Sequence, residues 1–298
     1  MLTTEQKQFY ADNGYVVVRG LLTPEEAGMY RQEAHDLAER LSAIRNINST
    51  WGSANTVTDK PTSLLHCHDV QFQSAAFARL LVDERLTEAA SDIIGPNVQL
   101  HHCKMFIKPP EKGSPFPMHQ DSPFFPHVNH SMIAAIVHFD DAPLERGCVR
   151  VVPGSHKLGM LPHNSEGAWH LSAEEYPVED AVPVEAKAGD VLFFSYLTIH
   201  GSGVNVSSEA RTTLLIQMRD PSDPPAFRAH ESNGQGMMLR GIDPTCATRP
   251  AWEQGQAADG TVLEESGMAS PASQPMGGAM AMGGAMSMGG AMAMGGKM

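Results

Sequence analysis

The feature that most constrains this chain is a change of period near residue 97. Downstream, short apolar runs are separated by Gly/Pro turns, and no helical segment alternates with them. Strands are expected near Val98–Ile107, Met132–Phe139, Cys148–Val152, Val191–Phe194 and Thr212–Met218. The turns between them include Lys108-Pro-Pro110, Glu145-Arg-Gly147, Pro153-Gly-Ser155 and Ala188-Gly-Asp190. Parallel strands need long, usually helical crossovers, so an antiparallel sandwich or barrel is the expected core. Residues 157–187 read as a long connection in which Ser172-x-x-Glu175 caps a short helix, and connections of that length are often functional lids.

The first third reads differently. Thr3-x-x-Gln6 is a capping box for a short helix ending near Gly14, and Tyr15-Val-Val-Val18 is β-branched enough for a strand. Thr23-Pro24-Glu25-Glu26 combines an N-cap, a proline at the first helical position and a capping-box glutamate, and the helix it starts should run to about Ile44. Residues 45–65 are polar and expected as loop. Helical patterning returns over 75–94 and stops at Gly95-Pro96. A helical layer over 1–96 in front of a β core over 97–220 follows, within one domain over 1–252.

Residues 253–298 are expected to be a disordered Gly/Ala/Met-rich tail. Its end repeats GGAMAM-like units of six residues, and nine of the 18 methionines lie between Met268 and Met298. A thioether trap for Cu(I) is the sharper reading of that tail, and the lack of His or Cys partners weighs against it. Net charge is −13, which disfavours nucleic acid as a partner. No apolar run approaches the ~20 residues of a membrane span, and the N-terminus lacks the basic start and apolar run of a secretory signal. Four cysteines without a CxxC pair fit a reducing, cytoplasmic setting. Oligomeric state is not legible.

Fourteen histidines raise the question of a metal. Two His-x-Asp triplets occur, His119-Gln-Asp121 and His138-Phe-Asp140. On an extended segment the first and third residues point to one side, so such a triplet can supply two ligands of a two-His-one-carboxylate site. Alone the triplet is weak. Context separates the two: His138 ends an apolar strand beside further acids, as a solvated strand end would, whereas His119 opens the aromatic stretch Phe124-Phe125. His200 ends another apolar strand, and Arg211 begins the next one eleven residues on. A hairpin centred near 205–206 would set the two almost opposite each other, with the guanidinium suited to the far carboxylate of a dicarboxylic co-substrate. The bland alternative for Arg211 is a surface ion pair with Glu209.

These segments together resemble the phytanoyl-CoA dioxygenase family of Fe(II)/2-oxoglutarate oxygenases. The resemblance covers roughly Gln6 to Met218. It lies in Asn13-Gly-Tyr-Val-Val-Val18, Lys108-Pro-Pro110, His119-Gln-Asp121, Gly147-Cys-Val-Arg-Val-Val-Pro-Gly-Ser-His156, Ala188-Gly-Asp-Val191, His200-Gly-Ser202-Gly-x-Asn205 and Arg211. It implies a mainly β fold, a double-stranded β-helix (jelly roll, cupin-like) with flanking N-terminal α-helices. It implies iron held by His119, Asp121 and His200. It implies 2-oxoglutarate clamped by Arg211 with help from Ser202, and lined by Gln120 and Val137. O2 is the third reactant, and 2-oxoglutarate is decarboxylated to succinate and CO2 as a small-molecule substrate is hydroxylated. Asp121 stands where related halogenases carry a small residue, which disfavours chlorination. His156 reads as a structural turn residue.

Substrate contacts are expected among Trp51, Phe124, Phe125 and Trp169, with loop 45–65, His66, His68 and the connection 157–187 as variable walls. Desaturation, epoxidation or ring closure at the same site is the alternative outcome, and a non-catalytic metabolite- or metal-binding jelly roll is the alternative class. Both ligand histidines must be neutral to bind iron, so affinity is expected to fall as pH drops toward the ordinary imidazole pKa of ~6.5.

Overall fold

A computed structural model describes residues 1–48, 53–164, 169–226 and 232–245. The Gly/Ala/Met-rich segment, Cys246 and Trp51 fall outside the described residues.

The N-terminal expectations hold closely. Thr3 and Gln6 form the reciprocal capping box of α1 (Thr4–Asn13), and Gly14 closes it at φ 79°. Strand β1 (Tyr15–Val18) follows. Helix α2 (Pro24–Ser42) carries the Thr23/Glu26 box with Pro24 inside its first turn, and ends slightly before Ile44. The pattern over 75–94 is two helices rather than one, α3 (Ala75–Leu81) and α4 (Glu84–Ile94). Asp83 breaks the run, because its carboxylate accepts from the Arg85 amide (2.9 Å) and restarts the helix as an N-cap.

The remaining strands are β2 (Leu65–His68), β3 (Val98–Lys108), β4 (Phe116–His119), β5 (Ile133–His138), β6 (Val149–Val151), β7 (Val182–Val184), β8 (Val191–Ser195), β9 (His200–Ser202), β10 (Arg211–Arg219) and β11 (Met238–Arg240). One sheet runs β1-β8-β5-β10-β3-β11, with β2 also on β3; the other runs β4-β9-β6-β7. All the pairings between these strands are antiparallel. The architecture is the jelly roll with flanking helices.

Alternation along the strands divides the interior in two. Cys103, Met105, Ile107, Ala135, Val137, Leu214 and Ile216 face α2, α3 and α4, where they pack with Leu37, Leu41, Phe77 and Leu81. The opposite face of the same sheet sends Ala134, Leu192 and Phe194 against Val149, Val151 and Val184 of the smaller sheet. Cys67, Cys103 and Cys148 are buried free thiols. Among the described residues no helix is long and apolar enough to cross a membrane.

Two expectations are corrected. Ser172–Glu175 makes a single turn, closed by the Tyr176 amide on the Ser172 carbonyl (2.9 Å), and not a helix. Residues 203–210 are not a hairpin: β9 pairs with β4 and β6, while β10 lies in the other sheet between β3 and β5. The connection crosses between sheets because Asn205 pins it. The Asn205 amide donates to the carbonyls of Pro109 (3.1 Å) and Glu209 (2.7 Å), and its oxygen accepts from the Ser207 amide (3.0 Å).

Candidate active site

Pairing of β4 with β9 sets His119 directly opposite His200, with ring centroids 4.3 Å apart. Strand β4 stops at His119, and the Asp121 amide then donates to the Tyr196 carbonyl (2.9 Å), which turns the carboxylate back toward the two rings. Asp121 Oδ1 lies 3.7 Å from His119 Nε2 and 3.8 Å from His200 Nε2. One ligand atom from each of the three residues lies within 4.8 Å of the others.

The surroundings fix which atoms face inward. His119 Nδ1 lies 2.8 Å from the Pro117 carbonyl and His200 Nδ1 lies 2.9 Å from that of Thr198. A carbonyl can only accept, so both Nδ1 atoms carry the proton and both Nε2 lone pairs face the cluster. Gln217 on β10 donates to Asp121 Oδ2 (2.6 Å), leaving Oδ1 for the rings. Burial, and then the His200 imidazole beside it, pulls the His119 pKa down to about 3. Its ring is therefore unprotonated well below pH 6.5, and the expected loss of iron affinity near that pH is not set by His119. Two imidazole nitrogens and one carboxylate oxygen on one face fit a first-row divalent metal such as Fe(II).

The other end of the same cavity is cationic. Arg211 is 4% exposed. Its η1 nitrogen donates to the Gly147 carbonyl, and Nε has no partner among the described residues. The alternative of an ion pair with Glu209 does not form: Glu209 bonds Arg146. Burial lowers the Arg211 pKa to about 10, the mark of a guanidinium lacking a counter-ion. Lys108, opposite Arg211 in register, donates to Ser202 Oγ (2.8 Å) and to the Gly203 carbonyl (2.8 Å). A buried guanidinium without a carboxylate, sharing a cavity with the His-Asp-His cluster and Ser202, fits a dicarboxylic co-substrate. His200 and Arg211 thus share a cavity as expected, but from opposite sheets.

Other expected residues separate. Val137 points into the helix-facing core, because the strand's alternation gives the cavity wall to Ile136. Gln120 is consumed elsewhere: its amide donates to the Gly159 (2.8 Å) and Leu197 (2.7 Å) carbonyls and accepts from the Leu161 amide (2.8 Å). It ties residues 159–161 to the end of β4. Phe124 stands edge-on to His119 (6.4 Å) and against Trp169 (5.5 Å), a pair beside the cluster. Phe125 packs with Met132 and Tyr196. His66 stacks on Phe106 of the cavity wall (4.8 Å). The second triplet is structural: Asp140 accepts from Arg31 Nε of α2 (2.6 Å) and from the Thr212 amide (2.9 Å). His138 is not at a solvated end but fully buried. His156 lies 3.2 Å from the Ala11 carbonyl and backs onto Gly14, a packing role as expected.

Sequence reasoning missed Gln217 and the contact of Lys108 with Ser202. A polar residue at an inward position of an apolar strand, in phase with Arg211, was the available signal for Gln217.

The profile of the phytanoyl-CoA dioxygenase family matches residues 10–213. The bovine peroxisomal phytanoyl-CoA dioxygenase is 29% identical over 237 residues, covering 74% of this chain and 69% of the relative. A probable alpha-ketoglutarate-dependent hypophosphite dioxygenase of Stutzerimonas stutzeri is 26% identical over 220 residues, covering 71% and 77%. Among solved structures, the epimerase SnoN in complex with Fe3+, alpha ketoglutarate and nogalamycin RO superposes with a TM-score of 0.62 at 26% identity, covering 79% of this chain and 98% of SnoN. With a match over most of the chain, and with a His-Asp-His cluster sharing a cavity with a buried arginine that has no carboxylate partner, this protein belongs to the phytanoyl-CoA dioxygenase family and is a dioxygenase dependent on iron and 2-oxoglutarate.

Proposed function

We propose that this dioxygenase hydroxylates a small-molecule substrate, with iron(II) on His119, Asp121 and His200 and 2-oxoglutarate clamped by Arg211. The observation that carries the reading is the shared cavity: three converging ligand atoms at one end and a buried, counter-ion-free guanidinium at the other. Bound iron supplies the oxidising chemistry, in which 2-oxoglutarate and O2 yield succinate, CO2 and a hydroxylated product.

The chain's own residues hold and orient. Arg211 and the Ser202 hydroxyl receive the far carboxylate of 2-oxoglutarate, and Lys108 fixes the hydroxyl that helps them. Gln217 keeps one Asp121 oxygen committed to itself and the other turned to the metal position. Phe106, Phe116, Ile136, Phe194 and Leu215 make the cavity wall apolar, which excludes water and strengthens the charge pairs inside it. Phe124 and Trp169 flank the approach to His119 and are the described aromatics best placed to touch substrate. We place the enzyme in the cytoplasm, on its three buried free thiols. We assign catalysis to the domain over 1–252, with the tail from 253 dispensable.

Anaerobic titration with Fe(II) and then 2-oxoglutarate tests the reading. A weak visible charge-transfer band that His200→Ala abolishes is the expected result. No band from a folded protein would leave a non-catalytic metabolite-binding barrel. The mass of the product separates hydroxylation from desaturation or ring closure.

A further inference from the structure

Arg211 enters the cavity from the first residue of β10. Its side chain has little to hold it there. The η1 nitrogen reaches one backbone carbonyl, that of Gly147, and Nε has no partner among the described residues. The placement of so lightly tethered a guanidinium depends on the backbone that carries it. That backbone is gripped from outside the cavity, at the next residue.

Successive side chains of a strand alternate, so Thr212 points away from the cavity. Strand β5 ends at His138, opposite Thr213, and beyond it the ladder is continued by other means. The Thr212 carbonyl accepts from the Phe139 amide (3.0 Å). The Thr212 amide donates to Asp140 Oδ2 (2.9 Å), a carboxylate standing in for a strand carbonyl. Asp140 Oδ1 accepts in turn from Arg31 Nε (2.6 Å). The Thr212 hydroxyl lies 3.0 Å from His35 Nε2. A hydroxyl both donates and accepts, so that bond holds for either imidazole tautomer. Burial, and then the Arg31 guanidinium, pull the His35 pKa down against the carboxylates of Asp140 and Asp36, so the ring is neutral at neutral pH. Arg31 and His35 stand four residues apart on α2, hence on one face of it. Neither lines the cavity.

We propose that Arg31 and His35 are positioning residues for Arg211: helix α2 grips β10 one residue beyond the arginine and thereby sets the affinity for the far carboxylate of 2-oxoglutarate. The inference rests on the functional reading above and extends the co-substrate machinery to a helix outside the cavity. Residues 211 and 212 share one planar peptide unit, so a slack Thr212 lets the Arg211 backbone shift. A guanidinium–carboxylate pair is directional and loses strength with misplacement. The keto-acid end of 2-oxoglutarate belongs, in that reading, to the metal position, whose histidines come from β4 and β9 of the other sheet. The grip on β10 therefore acts on one end of the co-substrate and leaves the other alone.

The test is calorimetric, on full-length protein loaded with manganese(II) under argon. The probes are 2-oxoglutarate and 2-oxovalerate, which keeps the keto-acid end and the chain length but carries a methyl group in place of the far carboxylate. His35→Leu and Thr212→Val should each weaken 2-oxoglutarate binding by about three- to tenfold, with 2-oxovalerate and manganese affinities unchanged within about twofold. The double variant should be no weaker than the weaker single one, since both remove the same bond. His35→Gln, whose amide can take the place of Nε2, should restore most of the affinity. Arg31→Met should act in the same direction through Asp140, and Arg31→Lys should not. Thr212→Val carries the test if His35→Leu does not fold. Unchanged 2-oxoglutarate affinity in the folded variants overturns the proposal. So does an equal loss for both probes, which marks general loosening, and so does additive loss in the double variant. Failure of wild type to take up manganese, or to prefer 2-oxoglutarate over 2-oxovalerate, would sink the functional reading itself, and that is read before any variant is compared.

Discussion

Asp121 presents a single oxygen to His119 and His200 because Gln217 holds the other. Removing that donor frees the carboxylate to rotate and leaves a buried oxygen unsatisfied. Gln217→Leu should therefore weaken Fe(II) binding by about 10–100-fold in a chelator competition, with the fold intact. Arg211→Ala should raise the 2-oxoglutarate KM by about thirtyfold or more in a succinate-release assay, since loss of a charge-assisted pair costs ~2 kcal/mol or more. An unchanged KM would remove Arg211 from its role. Asp140 makes the contrast. Asp140→Ala strips Arg31 and the Thr212 amide of their acceptor, and should cost about 1–3 kcal/mol in denaturant midpoint experiments with iron affinity preserved. At this scale the His-Asp-His cluster was legible, because His-x-Asp and a strand-terminal histidine are local patterns. Gln120 and Val137 were misjudged because sequence proximity to a site says nothing about side-chain direction. Gln120 turns to the Gly159 and Leu197 carbonyls, and Val137 falls on the helix-facing side of β5.

Elements show the same division. Capping boxes at Thr3 and Thr23 marked helix starts reliably, because the signal and its hydrogen bonds lie within one turn. Long strands such as β3 and β10 were evident from their apolar and β-branched residues, bounded by turn signals. Strands of three or four residues, β4, β7, β9 and β11, show no period, and tertiary pairing alone defines them. The misread hairpin between β9 and β10 has a cause of its own: a strand leaving one sheet for the other looks locally like a turn. That crossing is tight at Gly147. Its φ is +63°, and a Cβ there would stand 2.4 Å from the Gly203 carbonyl oxygen. The Gly147 carbonyl also accepts from Arg211. Gly147→Ala should therefore lower thermal stability and raise the 2-oxoglutarate KM together, through displacement of both the crossing and the arginine. A variant with normal KM would show that Arg211 is held independently of this turn.

For the molecule as a whole, three buried imidazoles set an acid limit. Burial lowers His66, His119 and His138 to about 3 each, against an unfolded value of ~6.5. The native state therefore binds fewer protons than the unfolded chain across that window. Their contribution is complete above pH 6.5 and is lost as pH falls toward 3, at up to ~1.4 kcal/mol per pH unit per histidine. Metal-free protein should lose about 4 kcal/mol of unfolding free energy between pH 7.5 and 5.5, measured by urea denaturation. A flat profile would mean that these rings find protons or water in the native state. Deletion after residue 253 should leave 2-oxoglutarate turnover unchanged; strong loss would give the Gly/Ala/Met segment a part in catalysis.

Among the described residues the first strand of the chain is the edge of the larger sheet and pairs only with β8. On the ribosome Tyr15–Val18 therefore emerges long before its partner strand, β8, exists. The order of synthesis opposes the order of the sheet, since β10 must also insert between β3 and β5 after both have been made. Such non-local closure slows folding and leaves unpaired edges exposed meanwhile. Until residue 195 has cleared the exit tunnel, the nascent chain carries its N-terminal strand as an open edge, and that interval is when it is most exposed to aggregation and most dependent on chaperones.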